Sequence, residues 1–218
     1  MLEDKRIIVT GSARGMGLAT LTAFVQAGAR VVGMDINDAD GEQAARDANA
    51  LGPGKATYLH IDIADKSSVE TAFQEAVNWL GGLDVLAHPA AIQAGSAASD
   101  VSVEHWDQMF AVNVRGTMIT NQAAYHHMKA AGGGSIINFG SISGQRAEPG
   151  AVAYSASKGA VHSWTRSAAG AWGMDRVRVN AILPAMATPM YQEAMALLTE
   201  QQAAESFWMN HRSIALGQ

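Results

Sequence analysis

The segment RIIVTGSARGMG, residues 6–17, decides the fold of this chain. Residues 6–10 are apolar enough for a buried strand, and apolar side chains recur at helical spacing after the glycines. Gly11, Gly15 and Gly17 let the backbone come close to a pyrophosphate, and the start of the helix offers N–H groups and positive potential. We therefore predict a dinucleotide-binding turn; an ordinary turn between a strand and a helix is the alternative.

The alternation of strand and helix continues along the chain. Strands are predicted at residues 6–10, 30–35, 56–61, 83–87, 135–139 and 178–183, and helices at 15–27, 40–50, 67–80, 103–131 and 153–172. Several strands are apolar on both faces, as buried parallel strands are. The predicted fold class is α/β: a three-layer, doubly wound Rossmann fold with a mainly parallel six-stranded sheet and helices on both faces.

Length and composition favour a single domain. The chain has 218 residues, of which 48% are hydrophobic, so one sizeable core is expected over residues 1–218. Residues 184–218 break the alternation and carry apolar side chains on helix-like segments with no strand after them. We predict that this segment is a lid over the substrate; ordinary amphipathic packing is the alternative.

Charge and residue usage exclude several classes of function. A net charge of −5 without a cluster of Lys or Arg argues against nucleic acid or an anionic membrane as the main partner. The chain has no cysteine, which excludes disulfides and thiolate metal sites, and we expect a cytoplasmic protein. His105, His126, His127 and His162 lack ligand spacing with acidic partners, so surface or core positions are predicted for them and no metal site.

Tyr154 and Lys158 are four residues apart on a predicted helix and face the same side. A cation about 4 Å from the phenol would bring its pKa from about 10 toward neutrality. A group with such a pKa is an efficient general acid or base. The pair therefore predicts proton transfer, with Ser141 thirteen positions upstream of Tyr154 as a further candidate.

Two acidic residues at strand ends are candidates for nucleotide contacts. Asp35 ends the second predicted strand, where a carboxylate hydrogen-bonds the adenosine ribose hydroxyls and repels a 2′-phosphate, so NAD is favoured over NADP. Arg14 could partner such a phosphate and keeps NADP open. A helix-preceding cap is the alternative for Asp35. Asp62, after the third strand, is a candidate for the adenine amino group or a simple turn residue.

From residue 4 to about residue 190, the chain resembles the short-chain dehydrogenase/reductase family. The resemblance rests on Thr10-Gly-Ser-Ala-Arg-Gly-Met-Gly17, Asp35, Asp62-Ile63, Asn113-Val-Arg-Gly116, Ser141, Tyr154-Ser-Ala-Ser-Lys158 and Arg178-Val-Asn-Ala181, which leads to Pro184 and Thr188. It implies hydride transfer between NAD(H) and a secondary alcohol or ketone, and the apolar side chains in residues 184–218 predict a moderately apolar substrate. It also implies a homo-oligomer, either a dimer or a tetramer.

The resemblance assigns roles to individual residues. Tyr154 is the implied acid/base, Lys158 tunes it and holds the nicotinamide ribose, and Ser141 hydrogen-bonds the reacting oxygen. Asn113 is implied to hold a water that relays protons to Lys158, whereas the residue alone reads as a buried polar group that satisfies helix backbone. The implied cofactor contacts are Gly11, Arg14, Met16, Gly17, Asp35, Asp62, Ile63, Ala90, Tyr154, Lys158, Pro184 and Thr188.

Two features depart from the family pattern. The chain has His88-Pro89-Ala90-Ala91 where the family usually has Asn-Asn-Ala-Gly, although we expect cofactor binding to survive. It also stops before the family's last helix and strand, so the seventh, edge strand of the sheet is expected to be missing. These departures favour an alternative function, a catalytically idle NAD(H)-binding sensor or scaffold, which the complete set of catalytic residues opposes.

Overall fold

Six parallel strands form one twisted sheet in the computed structural model of the protein, which describes residues 2–184 together with residues 196 and 199. The strands are β1 (Arg6–Thr10), β2 (Arg30–Asp35), β3 (Lys55–His60), β4 (Val85–His88), β5 (Gly134–Phe139) and β6 (Val177–Ile182). Their order across the sheet is β3-β2-β1-β4-β5-β6. Every strand begins and ends within two residues of its predicted bounds, which confirms the six-stranded Rossmann sheet.

Six α-helices connect these strands: α1 (Gly15–Gln26), α2 (Asp38–Leu51), α3 (Lys66–Leu80), α4 (Val103–Phe110), α5 (Thr117–Ala130) and α6 (Val152–Trp172). Their first turns are fixed by local side chains, because Asn37, Asp65 and Ser102 accept hydrogen bonds from the free N–H groups of α2, α3 and α4. At its other end α3 terminates at Gly81, whose φ of +77° is readily adopted by glycine.

The sheet separates two apolar layers because successive strand residues point to opposite faces. Ile7 and Val9 of β1 pack with Leu21 and Val25 of α1, and α2 adds small alanines to the same layer. Ile8 lies on the opposite face, in a larger layer formed mainly by α3 and α5. Helices therefore cover both faces of the sheet, as predicted.

The predicted helix over residues 103–131 is interrupted. Between α4 and α5, residues Ala111–Gly116 form a π-helical turn. The hydroxyl of Thr117 donates to the carbonyl of Asn113 at 2.7 Å, and that of Thr120 donates to Gly116 at 2.9 Å. These bonds satisfy carbonyls inside the wider turn, which buries Asn113. Such turns are frequent at functional sites.

The order of the strands places a crevice between β1 and β4. From β1 the chain continues outward to β2 and β3, whereas β4, β5 and β6 extend in the other direction. Ligands of open α/β sheets bind at this switch point, outside the carboxyl ends of the strands. At the opposite, amino end, the Arg6 guanidinium binds both carboxylate oxygens of Asp84, at 2.7 and 3.0 Å, and lowers the pKa of that carboxyl.

Some predictions fall on residues that the structure does not describe. Apart from its first residue, the predicted lid over residues 184–218 lies outside the continuous range 2–184, and the single domain over residues 1–218 stays a prediction with it. Within the part of the chain that the structure describes, no helix is long and apolar enough to cross a bilayer.

Candidate active site

The glycine turn after β1 touches the segment after β4. Gly11 has a φ of +63°, and a β-carbon there would lie 2.7 Å from the Cα atom of Ala90. A β-carbon on Gly17, in the first turn of α1, would overlap the carbonyl oxygen of Gly11. Glycine is therefore needed at both positions. The structure brings Gly11, Gly17 and Ala90 together at the switch point of the sheet.

Asp35 lies at the end of β2, beside this turn, and both of its carboxylate oxygens accept backbone hydrogen bonds. One oxygen accepts from Ala13 N–H at 3.0 Å and the other from Asn37 N–H at 3.1 Å. The carboxylate is half-buried and held in one orientation. Arg14, the residue before α1, is exposed. The structure thus fixes Asp35 as a rigid acceptor and leaves Arg14 in solvent.

The remaining predicted cofactor contacts are spread over the same edge of the sheet. Asp62 caps a turn, because its Oδ1 accepts from Ala64 N–H at 2.9 Å, and Ile63 beside it is buried. Met16 and Pro184 are half-buried, in α1 and after β6. Thr188 lies outside the described residues. The turn role of Asp62 is observed, and contacts of all these residues with a cofactor stay predictions.

Ser141, Tyr154 and Lys158 gather at the carboxyl end of β5. Ser141 follows β5, Tyr154 and Lys158 share one face of α6, and all three are buried. Lys158 Nζ donates to the carbonyl of Phe139, the last residue of β5, at 2.8 Å and lies 5.6 Å from the centre of the Tyr154 ring. A proton-carrying phenol, a hydroxyl and an ammonium therefore share one pocket.

The expected effect of Lys158 on Tyr154 is wrong for this structure. Burial raises the pKa of Tyr154 above its usual value, a hydrogen bond from Ser141 opposes that rise, and the carboxylate of Glu148 adds to it. The ammonium lies over the ring and bonds to Phe139 instead of to the phenol oxygen. Its own burial lowers the pKa of Lys158 to about 8. Burial thus disfavours the charged form of both groups.

Asn113 is fully engaged by protein groups. Its amide accepts from the N–H of Ile92 at 2.9 Å and donates to the carbonyl of the same residue at 2.9 Å. The amide also donates to the hydroxyl of Ser157 at 3.1 Å. The side chain therefore connects the π-helical turn to the segment after β4 and to α6. It does not satisfy helix backbone, which was the expectation from the residue alone. A role in holding a relay water stays a prediction.

His88 occupies the first position of the unusual segment after β4. It is buried, and its Nδ1 lies 2.7 Å from the hydroxyl of Thr10 and 3.4 Å from that of Thr120. Burial, with a smaller contribution from the charge of Lys158, lowers the pKa of His88 to about 3, so the ring is neutral. The segment departs from the family pattern, yet Ala90 still reaches Gly11 and the crevice is formed.

Two side chains near the pocket were not predicted to act there. Glu148 accepts a hydrogen bond from the hydroxyl of Ser143 at 3.3 Å, and its negative charge contributes to the raised pKa of Tyr154. His162, expected to be an ordinary surface or core histidine, accepts from the backbone N–H of Ser141 at 3.2 Å. Its position four residues after Lys158 on one helix was a usable signal. No local pattern marks Glu148.

Comparison with known proteins agrees with this geometry. Residues 5–197 match the short chain dehydrogenase family. The chain belongs to this family. Short-chain dehydrogenases use NAD or NADP, and relatives that are named dehydrogenases support oxidoreduction of alcohols.

Two curated relatives and one solved structure illustrate the similarity. Cyclopentanol dehydrogenase of Comamonas testosteroni is 37% identical over 89% of this chain and 78% of its own length. Sorbitol dehydrogenase of Cereibacter sphaeroides is 38% identical over 84% of this chain and 70% of its own. A short-chain type dehydrogenase/reductase of Mycobacterium ulcerans superimposes with a TM-score of 0.88, 28% identity, and coverage of 95% of this chain and 76% of its own.

The residues present fit the dinucleotide that the family uses. Gly11, in the turn that leads into α1, packs directly against Ala90, and the free N–H groups of a helix's first turn are suited to bind a phosphate. Asp35 presents a fixed carboxylate at the end of the next strand. Both features lie at the carboxyl edge of the sheet, on the same side as Lys158.

Because the ammonium of Lys158 is buried, its replacement by an uncharged side chain is expected to stabilise the protein. Burial lowers the pKa of Lys158 from 10.5 to about 8, so the native state destabilises the charged form below pH 8. Lys158→Met is expected to raise the free energy of unfolding at pH 7 by about 1–3 kcal/mol. This figure already includes the cost of losing the hydrogen bond to Phe139. Urea denaturation at several pH values measures it.

The advantage of Lys158→Met should shrink between pH 8 and pH 10.5. Over that range the unfolded lysine binds more protons than the native one, so wild-type stability rises with pH. Lys66 is exposed, and Lys66→Met serves as the matched control with no such trend. A Lys158→Met protein that is less stable than wild type at pH 7 would contradict the prediction.

Proposed function

We propose that this protein transfers hydride between NAD(H) and a secondary alcohol or ketone, with Tyr154 as the acid/base. The observation that carries the proposal is the pocket at the end of β5, where Tyr154 and Lys158 of α6 meet Ser141. This pocket lies on the carboxyl edge of the sheet, as does the crevice formed by Gly11 and Ala90. A phenol beside a nucleotide site is suited to carbonyl chemistry.

The protein's own groups manage the proton. In the direction of reduction, the O–H bond of Tyr154 breaks and its proton passes to the carbonyl oxygen of the substrate, while Ser141 donates a hydrogen bond to the same oxygen. The positive charge of Lys158 stabilises the tyrosinate that remains. Asn113 would hold the water through which a proton returns by way of Lys158. A nicotinamide held at the crevice of Gly11 and Ala90 would supply the hydride, and oxidation of an alcohol would reverse the proton and hydride transfers.

A moderately apolar small molecule is the proposed substrate. One relative is named for cyclopentanol, a cyclic alcohol, and another for sorbitol, a polyol. The apolar side chains in residues 184–218 favour the less polar class here. This choice extends the prediction that the segment is a lid.

NAD is the proposed cofactor, in preference to NADP. The Asp35 carboxylate is held by two backbone N–H groups, so it is fixed to accept hydrogen bonds from ribose hydroxyls. A 2′-phosphate at the same place would meet its negative charge. Arg14 is exposed, and among residues 2–184 no hydrogen bond joins it to Asp35. Its side chain therefore does not neutralise the carboxylate that would repel a 2′-phosphate.

A homo-oligomer is also proposed, formed through the helices between residues 103 and 172. A groove of about 720 Å³ opens between the π-helical turn, its flanking helices and α6. Its apolar lining comes from Phe110, Ala111, Val114, Met118, Val161 and Trp164. A second copy of the chain, packed helix against helix, would cover this surface.

Removal of the phenol oxygen should abolish turnover and leave cofactor binding intact. Tyr154→Phe is expected to lower kcat by at least about 100-fold, the range of a lost general acid. Oxidation and reduction of a panel of secondary alcohols and ketones, followed at 340 nm, measures turnover, and NADH fluorescence measures binding. Tyr125→Phe, on α5, is the matched control and should keep full activity.

The same panel separates the enzyme from the idle sensor. Wild-type protein that binds NADH and turns over no member of the panel would support the sensor and contradict the proposed reaction. Tyr154→Phe with unchanged kcat would contradict the role of the phenol.

Removal of the carboxylate should change the choice of nucleotide. Asp35→Ser is expected to weaken NAD binding and strengthen NADP binding, so that the ratio of their dissociation constants moves toward NADP by about tenfold or more. Fluorescence titration with NADH and NADPH measures both constants. Asp47→Ser, on the exposed side of α2, is the control. An unchanged ratio in Asp35→Ser would rule out Asp35 as the selective residue.

A charge in the groove should separate the subunits. Val114→Glu places a carboxylate among apolar side chains that a partner would cover, so the oligomer is expected to dissociate. Sedimentation velocity at several concentrations measures the assembly. Leu51→Glu, at an exposed leucine at the end of α2 and outside these helices, is the matched control. Wild-type protein that sediments as a monomer at high concentration would refute the proposal.

A further inference from the structure

The ring of His162 fits between two glycines that flank the candidate catalytic serine. A β-carbon on Gly140 would overlap the Nε2 atom of His162, and one on Gly144 would lie 2.9 Å from its Cε1 atom. Between them, the backbone N–H of Ser141 donates to Nε2 at 3.2 Å. The His162 side chain is 7% exposed. Three successive contacts therefore seat the segment after β5 on this one ring.

The donor in this bond fixes the form of the histidine. Because the Ser141 N–H points at Nε2, that nitrogen must carry a lone pair, and the ring is neutral with its proton on Nδ1. Burial lowers the pKa of His162, and the charges of Lys158 and Arg166 on its own helix act in the same direction. On the facing segment, its contacts come from Gly140, Ser141 and Gly144, none of which ionises near neutral pH.

The bond to His162 acts on the backbone N–H of Ser141 itself, whereas the other bonds of this turn involve its side chain, its carbonyl or its neighbours. The side-chain oxygen of Ser141 accepts from the N–H of Ser143 at 3.2 Å, and its carbonyl accepts from the N–H of Gly144 at 3.0 Å. Both bonds are internal to the short turn after β5, and the hydroxyl of Ser155 on α6 holds the same turn by donating to the carbonyl of Ser143. The bond from Ser141 to His162 attaches the serine's own backbone to the helix that carries Tyr154.

We propose that His162 is a positioning residue for the reaction: its Nε2 lone pair holds the backbone N–H of Ser141, so that the serine hydroxyl meets the phenol of Tyr154. Tyr154, Lys158 and His162 follow one another at four-residue intervals on α6, so one helix face carries the acid, the cation and the anchor. The role rests on the proposed function, because Ser141 and Tyr154 act together only in that reaction. His162 does not touch the substrate.

A matched pair of substitutions separates the hydrogen bond from simple packing. His162→Leu fills similar space without an acceptor, whereas His162→Gln places a carbonyl oxygen within reach of the Ser141 N–H. Amide hydrogen exchange of Ser141 in the full-length protein is expected to be slow in wild type and in His162→Gln. It should be at least about tenfold faster in His162→Leu.

Kinetics then test whether the anchor serves the reaction. His162→Leu is expected to lower kcat about 10- to 100-fold with little change in NADH dissociation constant, and His162→Gln should recover most of the loss. Substitutions of exposed His126 on α5 by Leu and Gln are the controls and should match wild type.

The pH profile gives a readout that packing alone would not move. Protonation converts Nε2 from an acceptor to a donor and breaks the bond, so wild-type kcat should fall as the pH drops below about 6.5 through the lowered pKa of His162. That acid limb should be absent in His162→Gln. Equal Ser141 exchange in wild type and His162→Leu, or an unchanged acid limb in His162→Gln, would overturn the proposal. Wild type without any turnover would instead overturn the proposed function and leave the exchange result to stand by itself.

Discussion

The ammonium of Lys158 is buried at the end of β5 and donates to the carbonyl of Phe139. A charge in this position is costly, and the hydrogen bond to the carbonyl at the end of the strand offsets part of the cost. The bond requires α6 to lie against the carboxyl end of β5, which in turn brings Tyr154 beside Ser141. The pocket thus depends on the hydrogen bond between this ammonium and the end of β5.

The sequence was a good guide to the elements because the signals are local. Apolar runs such as residues 6–10 predict buried parallel strands, and residues such as Asn37 and Ser102 mark helix starts. The π-helical turn was missed, because its side-chain bonds within residues 111–120 are also compatible with an α-helix. The shared helix face of Tyr154 and Lys158 was likewise predictable, since the two residues are one helical turn apart on α6.

Contacts between distant segments account for what the sequence did not predict. The pKa of Tyr154 depends on how deeply the surrounding chain buries it, and spacing along one helix carries no information on burial. The same holds for His162, whose partner is 21 residues away, and for Glu148. His88 was recognised as a departure, but its neutral state follows only from the closed environment that includes Thr10 and Thr120.

The Arg6–Asp84 pair links two strands that are 78 residues apart in the chain. Parallel pairing of β1 with β4 requires closure of that long loop, which costs entropy before any contact forms, so this seam of the sheet is expected to assemble late in folding. The β1–β2–β3 half has shorter loops to close and can form earlier. Since the nucleotide crevice lies on the seam itself, a dinucleotide would bind only after the slow step and would trap the chain on the native side of it.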